Sequence, residues 1–171
     1  MSDINLEVTL DLSGIELLSM YSTDVRSPTK IDSDFIHVLN LSTDTFIDYG
    51  GVNMEIKGLR KSDNINWHLN DYSKYNSDLS AVIINYAATS DNYNDFISRP
   101  SLVTSSLDRP YVKDPGNLSG GIGFDKVNLQ YWTSSILKLD YTDTYKTIVQ
   151  IFRRTKSLGY ASFDRTINLT K

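Results

Sequence analysis

The chain has 171 residues, 40% of them hydrophobic and 22% charged, no cysteine, and a formal net charge of -4. A single domain over residues 1–171 is expected, because a chain of this size can bury roughly two thirds of its unfolded surface without a covalent staple. The composition excludes disulfides, thiolate metal sites and a thiol nucleophile. The acidic balance, with Lys and Arg scattered apart from Arg153 and Arg154, excludes nucleic acid as a partner.

Ile4, Leu6, Val8, Leu10 and Leu12 alternate with Asn5, Glu7, Thr9 and Asp11, so a first strand has one dry and one wet face. Ser13 then caps a helix of about two turns, in which Glu16 reaches back to the Ser13 amide and Ile15, Leu18 and Tyr21 face inward. Ser27 to Ser33, with Pro28, reads as loop, and Phe35 to Leu41 as a second strand ending in the polar run Ser42 to Thr45. Gly50 and Gly51 punctuate the chain before Val52, Met54 and Ile56 alternate with Asn53, Glu55 and Lys57. The turn Lys61 to Asn64 then leads to Ile65, Trp67 and Leu69, and the two segments are expected to pair.

Asn70 to Asp78 is a polar, Tyr-rich loop, after which Leu79 to Ala88 runs apolar on both faces, as a central strand packed on two sides would. Asp91 to Asp95 is a further polar turn. Leu102 to Leu107 follows as a strand, whereas Asp108 to Gly123, with Pro110 and Pro115, reads as a long irregular connection. Val127, Leu129 and Tyr131 alternate, Ile136 and Leu139 continue that edge, Tyr145 to Phe152 is strongly β-prone, and Leu158 to Leu169 closes the fold. The N-terminus MSDINLEVTL lacks a basic region followed by an apolar run, and no stretch has the length needed to span a bilayer. Synthesis in the cytoplasm without membrane insertion is the expectation.

Catalytic residue types are sparse. His37 and His68 are the only histidines and both fall inside predicted strands, where a zinc site would need further ligands from unrelated positions. No Gly-x-Ser-x-Gly elbow is present. Gly120, Gly121 and Gly123 lack the third glycine spacing and the Gly-Lys-Ser/Thr ending of a phosphate cradle, which leaves a flexible turn. Asp91, Asn92, Asn94 and Asp95 offer the oxygen ligands that calcium prefers, outside any twelve-residue calcium loop, so calcium is the one cofactor the chain suggests.

The eleven tyrosines are more informative, because a phenol ring stacks on sugars and fills protein interfaces. Tyr72, Tyr75, Tyr93 and Tyr111 fall in or beside predicted loops, next to Asn76, Asp78, Asp91, Asn92 and Asn94, whose side chains can bond glycan hydroxyls. The alternative is that these rings only cap the edges of the core.

Several segments, in order, resemble the AidA/PixA family of bacterial inclusion-body proteins. They are Val8-Thr9-Leu10-Asp11-Leu12 with Ile15-Glu16-Leu17-Leu18 and Tyr21, then Val52 to Lys57 with Asp63-Asn64-Ile65-Asn66-Trp67. Tyr131-Trp132-Thr133-Ser134-Ser135 and Leu158-Gly159-Tyr160 continue the likeness. The resemblance implies a β-sandwich made in quantity by a host-associated bacterium, accumulating in inclusions or responding to quorum sensing. It implies no enzyme activity and transfers no site residues.

The fold expected is therefore all-β: a two-sheet antiparallel β-sandwich, jelly-roll or Ig-like, with one short N-terminal helix. The function expected is a non-catalytic homo-oligomer that also binds carbohydrate. The rivals are a purely structural or storage protein, in which Ile148 to Phe152 would drive packing if it lay at an edge, and a hydrolase with an unrecognised site.

Overall fold

The N-terminal alternation becomes β1 (Asp3–Asp11), which turns Ile4, Leu6, Val8 and Leu10 inward and leaves the polar partners on the outer face. The computed structural model describes residues 3–12, 15, 21–42, 46–50, 53–72, 78–90, 95–114 and 116–171. The remaining strands are β2 (Thr29–Lys30), β3 (Ile36–Asn40), β4 (Phe46–Gly50), β5 (Asn53–Lys57), β6 (Asn64–Tyr72), β7 (Leu79–Ala88), β8 (Ser101–Val112), β9 (Ile122–Ser135), β10 (Tyr141–Arg153) and β11 (Lys156–Leu169). The expected N-terminal helix lies almost wholly outside the described residues; Leu12 and Ile15 are fully buried.

Among the described residues one sheet has the order β3-β1-β6-β9-β8 and the other β4-β5-β11-β10-β7, with β2 beside β11. The two sheets share a single core that draws on both, from Leu6, Leu10 and Trp67 on one side to Val149, Ile151 and Phe163 on the other. The sheets are mixed rather than purely antiparallel, because β1 runs parallel to β6, and β11 runs parallel to β2 and β5. The expected pairing of the segments around Met54 and Trp67 does not form. β5 joins β4 and β11 while β6 joins β1 and β9, so the turn between them carries the chain from one sheet to the other. Short-range alternation marks strands but does not assign sheets, and parallel neighbours need a crossover rather than a hairpin.

Two further expectations are corrected. β7 is an edge strand that bonds only β10 among the described strands, and a register shift between Ile148 and Val149 of β10 makes Ile84 the extra, bulged residue. Its apolar run therefore reflects one buried face plus a half-buried bulge. Ile84→Ala is expected to cost about 1 kcal/mol, well short of the ~2–5 kcal/mol of a fully buried isoleucine such as Ile151. Urea midpoints of the two variants check the order. The strongly β-prone segment Tyr145 to Phe152 sits in β10, between β11 and β7, where both backbone edges are occupied. It is not the exposed edge that a packing-driven storage protein would use.

Candidate functional site

The long irregular connection expected from Asp108 to Gly123 is instead mostly strand. β8 and β9 pair without interruption from Ser101 opposite Thr133 to Val112 opposite Ile122. Among the described residues only Tyr131 to Ser135 are prolonged by His68 to Asn64 of β6 into the sheet. From Thr104 to Val112 and from Ile122 to Gln130 the two strands have only each other among the described residues, a ribbon roughly 30 Å long at ~3.4 Å per residue that forms an arm. Its turn is held by Lys113 N–H donating to the Gly121 carbonyl and by the Asp114 and Asn117 side chains accepting from Gly116 and Ser119. Near the tip the Tyr111 ring lies over Gly123, where a Cβ would approach the ring carbon Cζ to 2.5 Å; the bare glycine gives the ring its seat.

Directly opposed residues share a face of such a ribbon. One face begins in the core, since Trp132 stands opposite buried Trp67, and it continues through Leu102 and Gln130. Its middle is polar, with Ser106 opposite Asn128 and Asp108 opposite Lys126. Its tip is apolar: Pro110 stands opposite Phe124 and Val112 opposite Ile122, and Val112, Ile122 and Phe124 are 54%, 53% and 66% exposed. Soluble proteins seldom leave several large apolar side chains together in water unless something covers them.

At the base of the arm the same face borders a cleft of about 120 Å³ lined by Trp67, Leu69, Ala81, Val82, Ile83, Leu102, Gln130 and Trp132. The half-buried Trp132 indole donates to the Ile83 carbonyl at 3.1 Å, which ties the arm's base to β7 across the gap between the sheets. Beneath lies an aromatic stack, Trp67 against Tyr86 at 5.1 Å and Tyr86 against Tyr145 at 5.0 Å between ring centroids. Burial pushes the Tyr86 phenol well above its ordinary value, the Tyr145 phenol adds to the rise, and the Trp67 indole offsets part of it. Burial likewise raises Tyr145. Both phenols stay neutral near pH 7, so the stack supplies shape rather than an acid or base.

Residues 2–169 match the family model described as PixA: Inclusion body protein. This chain belongs to the PixA inclusion body protein family. Its architecture is similar to the crystal structure of the inclusion body protein PixA from Burkholderia cenocepacia J2315, with a TM-score of 0.77 and 16% identity over 98% of this chain and 95% of that one. At that identity the likeness shows the fold. Among curated proteins none matches the chain.

In this PixA-family chain the described members of the residue set expected to bind sugar are Tyr72, which ends β6, Asp78, which precedes β7, and Tyr111. Tyr75 and Asn76 lie outside the described residues. Asp91, Asn92, Tyr93 and Asn94 also lie outside the described residues. Tyr111 belongs to the arm's tip. Asp78 is already engaged: its carboxylate pairs with Arg153 and Arg154, both at 3.3 Å, and its carbonyl accepts from the Arg154 amide, which fastens it to the β10–β11 turn. At the opposite end Thr89 and Ser90 bond Thr144 and Asp143, and exposed Asp95 is the only described member of the calcium set. Among the described residues no cluster of three His, Cys, Asp or Glu could hold a metal, and no helix is long and apolar enough to cross a membrane.

The histidines are strand residues, as expected. His37 is exposed on β3, opposite Thr9. His68 stacks on Tyr131 at 4.7 Å, with Nε2 3.3 Å from Asn5 Oδ1, on the outer polar face of β6. Burial lowers its pKa below the ordinary 6.5, and the Glu7 carboxylate works in the opposite direction. The unfolded chain therefore takes up a proton more readily, so this contribution is complete above about pH 6.5 and is lost as pH falls below it. Urea midpoints at pH 7.5 and 5.0 should fall more for wild type than for His68→Phe, which keeps the stack; equal falls would remove His68 as a cause.

Sequence reasoning missed the arm and the cleft. A signal was present: Tyr111-Val112 and Ile122, Phe124 are β-prone residues at both ends of the supposed loop.

Proposed function

We propose that the protein is a non-catalytic inclusion-type protein that works by associating with itself. The supporting observation is the arm, whose apolar tip is built on regular paired backbone and leaves Val112, Ile122 and Phe124 exposed among the described residues. Membership of the inclusion body family fits a protein made to accumulate and pack. Sedimentation of the purified chain over a wide concentration range, alongside microscopy of cells expressing it strongly, tests the reading. Concentration-dependent oligomers and intracellular inclusions are expected; a monomer throughout, with diffuse distribution in the cell, would overturn it.

Carbohydrate binding is a second reading, favoured by the cleft. There the half-buried Trp132 ring offers a stacking surface and the Gln130 amide a donor and acceptor for hydroxyl groups. A glycan array run with and without calcium tests it, since calcium could organise the loop of Asp91 to Asp95. No binding by the folded protein under either condition removes this reading.

A further inference from the structure

We propose that the cleft at the base of the arm seats a single neutral sugar ring, the terminal residue of a glycan, with its apolar face on Trp132 and its hydroxyl edge toward Gln130. This deepens the carbohydrate reading and rests on it, by naming the seat and the class of sugar. The cleft lies where two strands part. β6 and β9 pair as far as His68 opposite Tyr131, after which β6 continues beside β1 to Tyr72 and β9 continues beside β8. In register, Leu69 and Gln130 are the next opposed positions on the inner face. Among the described residues they do not pair, and both line the cleft.

Trp67, Trp132 and Leu102 stand side by side in one row, so the floor is apolar. Trp67 is only 4% exposed, which leaves half-buried Trp132 as the ring with surface to offer. Its indole N–H is already committed to the Ile83 carbonyl at 3.1 Å, so the ring is held in place and presents its face rather than its polar edge. A flat face of this kind packs against the C–H side of a pyranose. The walls supply the polar half. Among the described residues that line the cleft, Gln130 carries the one amide, which both donates and accepts, and none carries a charge. Where a ladder ends, the backbone N–H and C=O groups that would have continued it face the gap. Hydroxyl groups match either kind, whereas an apolar guest leaves them unpaired.

Charge and size narrow the class. A carboxylate or sulfate drawn into such a lining loses its hydration and meets no cation there, so the sugar is neutral. The space of about 120 Å³ is well below the roughly 300–1,000 Å³ that encloses a drug-sized molecule. One ring enters and the rest of the glycan stays in water. A free monosaccharide should therefore bind only on the order of millimolar.

The probes are the methyl glycosides of glucose, galactose and mannose, their uronic acid counterparts, and cyclohexanol as a ring with a single hydroxyl. Each is titrated into the full-length protein and followed by saturation-transfer NMR and tryptophan fluorescence. At least one neutral glycoside should bind saturably, at least about tenfold tighter than its uronic counterpart or cyclohexanol. Gln130→Leu, which keeps the size and removes the amide, should weaken it about tenfold. Trp132→Ala should abolish it, whereas Trp132→Phe, which keeps an aromatic face and loses the bond to Ile83, should retain measurable binding. Leu107→Ala, on the opposite face of the arm, should leave it unchanged, with circular dichroism reporting which variants fold. If Trp132→Ala does not fold, Gln130→Leu decides alone. A glycoside that binds while these cleft substitutions leave it unaffected sits elsewhere, so the cleft is wrong while the carbohydrate reading stands. Uronic acids or cyclohexanol bound as tightly as the neutral glycosides overturn the assignment of a neutral sugar. A glycan array that is positive while no single ring binds overturns the one-ring seat. No binding by any probe, together with a blank array, removes both the seat and the reading beneath it.

Discussion

Gly159→Ala is expected to lower the unfolding free energy by about 3 kcal/mol. Gly159 has φ +139, a conformation side chains rarely adopt, and a Cβ there would come within 2.6 Å of the Ser22 carbonyl oxygen and 2.7 Å of the Tyr21 Cβ. It sits beside a register shift in the β10–β11 ladder, where Ile151 faces Gly159 but Phe152 already faces Ser157. The irregularity lets the segment around Ser22 lie directly on β11. The Tyr160 amide donates to the Ser22 carbonyl at 2.8 Å, and the Tyr21 hydroxyl donates to the Ile15 carbonyl at 3.1 Å. A methyl group at 159 meets backbone rather than a movable side-chain end, so the contact must open and the cover over the N-terminal segment loosens. Gly121→Ala is the control: its φ of +76 is also positive, but nothing lies within 4 Å of the added carbon. It should show the strain alone, about 1 kcal/mol. Urea unfolding of both variants separates overlap from strain, and equal losses would mean that the approach of Ser22 contributes nothing.

Arg165→Ala is expected to cost about 3 kcal/mol, whereas Arg165→Met should remain within about 1 kcal/mol of wild type. Arg165 lies in β11 on the inward-facing side with Phe163 and Ile167, and it is buried. Its guanidinium donates to the Ile36 carbonyl at 2.7 Å, which links the second sheet to β3, the edge strand of the first. Burial depresses its pKa, the signature of a cation held in a poorly solvating place. Alanine removes that link and leaves a void where a long side chain packed. Methionine fills most of the volume and carries no charge to desolvate. Thermal unfolding of the pair decides whether the bond or the packing matters: a methionine variant as weak as the alanine one would assign the stability to the Ile36 contact.

These positions show why some of the fold was legible in advance and some was not. The inward faces of β1 and β11 were read from alternation alone, because a period of two forces every second side chain to one side whatever lies beside the strand. β7 was misread because a bulge at Ile84 breaks that period and makes an edge strand look apolar on both faces. The arm was misread for a different reason. Pro110 and the glycines around 120 are ordinary signs of irregular backbone, and only the partner strand makes Pro110 a blunted edge and Gly123 the seat of Tyr111.

Composition and periodicity were enough to establish an all-β chain with no thiol chemistry, because those properties depend on residue types and on the geometry of a single strand. The assignment of strands to sheets, the parallel pairs, the buried Arg165 and the arm with its apolar tip came from long-range pairing. Such pairing is chosen by the summed burial of the whole chain, and each local segment is compatible with several partners until that sum is made.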